Sequence, residues 1–203
     1  ELALSCDYRV GTEKTVLRFP ETSIGIYPGL GGTQRTTRVC GIEAARFAVL
    51  AGNFMDAGAA SALGLITHLV GASDVTGTVR EISSKGKPAN KYPGGPSDPS
   101  HPVAAMSKAF YSDSNMGAIL SGEAPEGFDP EDRNVARQLK SLSRAAPVSV
   151  RLASDLLDKA LVTDLEAGLQ LELDALESIF ATKDAREGLS ALVEGRRPEY
   201  TGS

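Results

Sequence analysis

Tryptophan is absent from this 203-residue chain, and histidine and cysteine occur only twice each. Each scarcity closes a class of function. Cys6 and Cys40 are too few for a disulfide framework, and no C-x-x-C spacing suggests a metal site. His68 lies in an apolar stretch and reads as a core histidine, while His101 stands beside Pro102 and reads as solvated. A His-dependent nucleophilic triad therefore has little support. Positive charge is short as well: 21 Lys and Arg face 26 Asp and Glu, a net charge of -5. A nucleic-acid partner would normally impose the opposite balance. No apolar run nears the ~18 residues of a membrane span, and the first residues do not read as a signal peptide. No membrane partner is expected, and a reducing, cytoplasmic setting is the default. What the chain does hold is 41% apolar and 23% charged residues, enough to bury the core of one domain or of a domain with an appendage.

The opening phrase Glu1-Leu2-Ala3-Leu4-Ser5-Cys6 is helical in character and has no turn or cap before it, so the chain is expected to be the later part of a longer one. Tyr8–Val10 and Thr15–Phe19 are rich in β-formers and flank the turn-like Gly11-Thr12-Glu13-Lys14, which predicts a strand-turn-strand. Ser23 to Arg38 holds Gly25, Pro28, Gly29, Gly31 and Gly32, a loop until about Thr33. Helical spacing follows at Ile42, Ala45, Val49 and Leu50, and again from Asp56 to a stop at Gly64. Leu65–Val70 reads as a short buried strand. Residues 83–103 carry five prolines and lack the apolar mass to pack alone. Gly117–Gly127 is also loop-like. Helices are then expected from Asp129-Pro130, from Pro147 to Ala160, from a capping box at Thr163–Glu166 through Leu169, Leu173, Leu176 and Phe180, and from Thr182 to Val193. The expected class is α/β or α+β with a helical end. Three stretches are marked out: 1–71, 72–128 and 129–203.

The chemistry concentrates in two carboxylates and a glycine loop. An antiparallel hairpin centred in Gly11–Lys14 would set residue 21 opposite residue 4, and so return Glu21 to the neighbourhood of Glu1. Two glutamates in one cleft can divide acid and base work, because burial and mutual repulsion separate their pKa values. Among 26 carboxylates such a pair can equally be two solvated side chains. The segment Pro28–Arg35 can present backbone N–H groups around a helix start to hold an anion or a polarised water, or it can simply be a packing turn. It matches neither G-x-x-x-x-G-K-[ST] nor G-x-G-x-x-G after a strand.

Taken in order, Glu1–Asp7, Phe19-Pro20-Glu21, Gly25–Arg35, Leu50-Ala51-Gly52, Ala57–Leu65 and Phe180–Gly188 resemble the crotonase (enoyl-CoA hydratase/isomerase) superfamily. The resemblance covers about residues 1–71 and 147–198, and it implies the C-terminal part of a spiral of ββα units followed by a helical trimerisation region. It also implies an acyl-CoA substrate, with coenzyme A belonging to that substrate and neither metal nor other cofactor required. In family hydratases two glutamates hold a water that adds across the α,β double bond: Glu1 matches the base and Glu21 the proton donor. Gly29 matches a loop glycine whose main chain shapes the water site. A homotrimer or a hexamer follows from the family. So does an oxyanion hole expected in segments preceding Glu1, supplied by an N-terminal partner segment or by a longer parent, and a fused dehydrogenase is one form that parent could take. Similarity to 3-hydroxyisobutyryl-CoA hydrolases runs through Thr12-Glu13-Lys14, Pro20-Glu21-Thr22 and Gly64–His68, but those enzymes typically carry aspartate where Gly29 stands and lack the glutamate at position 1. A catalytically incomplete fragment with a structural or assembly role is the remaining alternative.

Overall fold

The computed structural model describes residues 1–203. The strands come early, and all are two residues long: β1 (Val10–Gly11), β2 (Val16–Leu17), β3 (Met55–Asp56) and β4 (His68–Leu69). Around and after them run helices α1 (Leu2–Ser5), α2 (Gly32–Cys40), α3 (Ile42–Val49), α4 (Ala57–Ala62), α5 (Val75–Lys85), α6 (Pro102–Phe110), α7 (Met116–Leu120), α8 (Arg133–Leu142), α9 (Pro147–Lys159), α10 (Leu165–Phe180) and α11 (Lys183–Glu194). The mixed class with a helical end is as expected.

The expected hairpin does not form. β1 pairs in parallel with β4, Val10 opposite His68, and β2 pairs antiparallel with β3, Val16 opposite Asp56. The turn itself closes, with the Thr12 N–H donating to the Thr15 hydroxyl and the Thr15 N–H to the Thr12 carbonyl. Arg9 then draws the chain elsewhere. Its buried guanidinium donates to the carbonyls of Leu65 and Gly64, its N–H to the Thr67 hydroxyl, and its carbonyl accepts from the N–H groups of Thr67 and His68. Pairing follows the partner that satisfies most buried polar groups, and a two-residue hairpin strand cannot match that set.

Several boundaries move for equally local reasons. The buried strand expected over 65–70 shortens to β4, and His68 is half-buried, edge-on to Tyr8, rather than a core residue. The cap of α8 is Asp132, whose Oδ1 accepts from the N–H groups of Asn134 and Val135, so the helix starts three residues after Asp129-Pro130. Asp164, not Thr163, caps α10 by accepting from Ala167. Inside the two expected loops, α5 runs on to Lys85, α6 begins at Pro102, and α7 occupies the start of 117–127. His101 is partly enclosed and caps α6 through Nδ1, so it is not simply solvated.

One core runs through the chain. Val39, Ala45, Leu50, Leu63, Phe110, Ala153 and Leu157 are all sealed from solvent within it. Stretch 72–128 contributes Ala104, Phe110, Tyr111, Met116 and Ile119 to the same cluster. At ~25 cal/mol per Å² of apolar surface, this shared burial is what holds α2, α3, α6 and α9 together, and it fixes the scaffold against which α10 lies.

Candidate active site

Glu21 opens a 3-10 turn, Glu21–Ile24, that ends at Gly25 in the left-handed region, φ 85°. The N–H of Ile26 returns to the Glu21 carbonyl at 3.1 Å, which sends the chain straight into the glycine loop. Gly31 is left-handed too, φ 89°, and serves as the N-cap of α2. Successive N–H groups around such a residue form a concave nest for an anion. Here the anions are the protein's own carboxylates.

Glu1, at the start of α1, places Oε1 in that nest, where it accepts from Leu30 N–H at 2.7 Å and Gly32 N–H at 3.0 Å. The next N–H groups serve a second carboxylate. Glu172, 1% exposed on the inner face of α10, accepts from Gly31 N–H at 2.5 Å, Thr33 N–H at 3.0 Å and Gln34 N–H at 3.1 Å, and also from the Thr33 hydroxyl. The loop therefore both packs and binds, and what it binds is Glu1 and Glu172. Gly29 is half-buried, and its N–H has no acceptor within the chain. A Cβ at Gly29 would stand 3.1 Å from both Leu176 Cδ2 and Tyr27 Cε2.

The electrostatics single out Glu21. Its Oε2 is buried and without a hydrogen-bond partner. Burial pushes the Glu21 carboxyl above its ordinary range, and the negative charge of Glu1 pushes it further the same way. Burial raises Glu172 as well, against the lowering effect of the Thr33, Gln34 and Gly31 donors. The Tyr27 hydroxyl, pushed up to about 12 by burial and by Glu172, stays protonated and donates to the Glu172 backbone carbonyl. No hairpin joins β1 to β2, so Glu21 does not return to Glu1 by that route. The 3-10 turn leads into the loop that holds Glu1, and Glu1 is near enough for its charge to act on Glu21.

A pocket of about 80 Å³ opens beside Glu1, walled by Ala3, Leu4, Leu17, Arg18, Phe19 and Leu65. That exceeds the ~30 Å³ share of a water molecule. Glu21 does not line it. A larger cavity, ≈ 470 Å³, lies elsewhere; it shares only Arg18 with the small pocket and contains none of the three glutamates. No helix is long and apolar enough to cross a membrane.

Glu172 is the functional-looking residue that the sequence reading missed. Its signal was present: at the spacing Leu165, Leu169, Glu172, Leu176, Ile179 it is the one charge in an otherwise apolar helical stripe. A carboxylate on a buried face is rare unless it has a partner.

Compared with known proteins, the chain matches the family model described as enoyl-CoA hydratase/isomerase over residues 2–202. A Bacillus subtilis (strain 168) protein named as an enoyl-CoA hydratase/isomerase is 30% identical over 202 residues, covering 100% of this chain and 56% of that relative. Among solved structures, a carnitinyl-CoA dehydratase from Mycobacterium thermoresistibile superimposes with TM-score 0.72 at 18% identity, over 98% of this chain and 58% of the other. An enoyl-CoA hydratase from Rhodobacter sphaeroides 2.4.1 does so with TM-score 0.71 at 20% identity, over 97% and 57%. Those two likenesses concern the fold. The chain spans about half the length of the curated relatives it matches.

Proposed function

The chain belongs to the enoyl-CoA hydratase/isomerase family, and from that premise we propose that it carries the carboxylate pair of an enoyl-CoA hydratase, with Glu1 and Glu21 adding water reversibly to a 2-enoyl-CoA thioester. The supporting observation is the unequal setting of the two acids. Glu1 is clamped by two backbone N–H groups beside a pocket with room for water. Glu21 has a buried, unpartnered oxygen and a raised pKa, the condition of a proton donor.

In this reading Glu1 takes a proton from water as the water oxygen bonds to the β carbon. The π electrons move toward the thioester, and Glu21 delivers its proton to the α carbon. Protons then re-equilibrate through solvent, which restores both side chains. The thioester itself acidifies the α carbon, so the reaction as written calls for no metal or redox cofactor, and coenzyme A enters as part of the substrate. Charge developing on the thioester oxygen needs preorganised donors. The N–H groups of residues 30–34 are already committed to Glu1 and Glu172, so the reading assigns the oxyanion donors to the remainder of the whole protein.

Hydration is preferred over thioester hydrolysis of the 3-hydroxyisobutyryl-CoA kind because of Gly29. An aspartate there would press on Leu176 and Tyr27 at once. A cytoplasmic setting, a role in fatty-acid β-oxidation and assembly as a trimer or hexamer belong to the same proposal. The half-exposed Leu173 and Phe180 on α10 offer apolar surface for such an assembly. The test is loss of enoyl absorbance when the whole protein meets crotonyl-CoA. Turnover with water incorporated at the β carbon supports the reading, and its absence, with folded protein, removes it.

A further inference from the structure

The N–H groups of the glycine loop alternate in what they hold. Leu30 and Gly32 donate to Glu1, whereas Gly31 and Thr33 donate to Glu172. Turning one of these peptide planes alters the dihedrals of the residues on either side of it, and the planes next to it are held by the other carboxylate. The carboxylate behind the loop thereby sets the direction of the donors in front of it.

Resting on the hydration reading above, we propose that Glu172 is a positioning residue: from the buried face of α10 it locks the glycine loop so that Leu30 and Gly32 aim at Glu1, and so places the carboxylate that handles water. Several features of the chain agree. Glu172 has no ion-pair partner that would account for burying its charge. Its two oxygens take four donors, which a carboxylate can do and an amide cannot, since the NH₂ of glutamine would face an N–H. One turn earlier, Gly168 lies against the Gln34 side chain with no space for a Cβ, which draws α10 in where Glu172 must reach. The Tyr27 hydroxyl ties the Glu172 backbone to the segment that enters the loop. Docking of α10 and geometry at Glu1 are therefore one event.

The experiment is a double-mutant cycle in the whole protein with crotonyl-CoA. Glu172→Gln should lower kcat by roughly tenfold to a hundredfold with KM near its original value, the scale of a small misplacement. In a Glu1→Gln background the same change should bring no further loss. Equal losses in both backgrounds, or a lower Tm with kcat unchanged, would mean that Glu172 acts as scaffold only. Amide hydrogen exchange on this 203-residue chain supplies a readout independent of turnover. Glu172→Gln should deprotect Leu30 and Gly32, and unchanged protection overturns the proposal even where hydration is never seen. Absent hydration by the unaltered protein, with Leu30 and Gly32 deprotected, would instead sink the hydratase reading alone. Should Glu172→Gln not fold, Thr33→Val removes one donor to the same carboxylate. It should shift exchange at Leu30 and Gly32 in the same direction by less, and no shift overturns the lock.

Discussion

Arg46 and Glu172 are both nearly sealed from solvent, at 3% and 1% exposure, yet they are treated in opposite ways. Arg46 meets two carboxylates at 2.7 Å, Asp113 and Asp158, and donates as well to the Tyr111 carbonyl. Its charge is neutralised where it lies. Glu172 meets only backbone N–H groups and one hydroxyl, and the charges of Glu1 and Glu21 gather nearby with no basic side chain bonded to any of the three. Like charges gathered with no ion pair among them, and only the more distant Arg18 and Arg38 to offset them, cost stability, and folds keep such an arrangement chiefly where chemistry uses it. The comparison separates a charge that holds the fold together from charges that the fold holds in place.

The largest expected effect falls on the uncompensated side. In the whole protein, Glu1→Gln and Glu21→Gln should each reduce hydration by roughly 10²–10⁴-fold, the worth of a general acid or base, with little change in Tm. Steady-state kinetics on a short enoyl thioester check this. Full activity in both variants would place the two clusters on the same footing and end the distinction. Next comes Gly32→Ala. A Cβ there would stand 2.7 Å from Glu1 Oε1 and 2.5 Å from Pro28 Cβ, so the carboxylate must move. A drop in kcat of about tenfold to a hundredfold is expected for that displacement, with circular dichroism unchanged.

The opposite outcome is expected at the compensated charge. Arg46→Met removes three hydrogen bonds from a charged donor but keeps much of the packing; the acids it abandons are 84% and 49% exposed, and the Tyr111 carbonyl loses its donor. Water can resolvate those acids, so the cost should be about 2 kcal/mol of stability, read from urea unfolding. Hydration per folded molecule should not change. A fall in kcat there would show that the two clusters are coupled.

Much of this contrast could be read from residue order, and the rest could not for a physical reason. Glu1, Glu21 and Gly29 were identifiable because they sit in one stretch whose spacing is local. Helices such as α3 and α9 were identifiable because apolar residues recur every three or four positions within the element itself. The pairing of β1 and β2 was not, since their partners lie at β4 and β3, beyond α2 and α3, and the choice rests on buried carbonyls that meet only in the folded chain. Glu172 is separated by 141 residues from the N–H it caps. A lone charge in an apolar stripe announces that something is buried with it, but not what. The shifted starts of α8 and α10 show a smaller version of the same limit, where neighbouring capping residues, Asp129 and Asp132 or Thr163 and Asp164, compete for one helix and geometry decides between them.

The finest test of the contrast is the pH dependence of stability. Burial, reinforced by Glu1, raises Glu21 above its ordinary value of 4.5. In the unfolded chain that carboxyl titrates at the ordinary value, so between the two values the native state binds the extra proton. Stability must then fall as pH climbs through that window and stay reduced above it. Glu21→Gln cannot ionise and escapes the penalty. Its urea midpoint should therefore equal or exceed that of the unaltered protein near pH 7, and the gap should close below about pH 4, where both side chains are neutral in either state. The compensated cluster should show no such gain on removal of its charge. A Glu21→Gln difference that is the same at both pH values, or one that favours the unaltered protein as pH rises, would mean that Glu21 does not carry an uncompensated charge, and with that the electrostatic reason for calling it the proton donor would be gone.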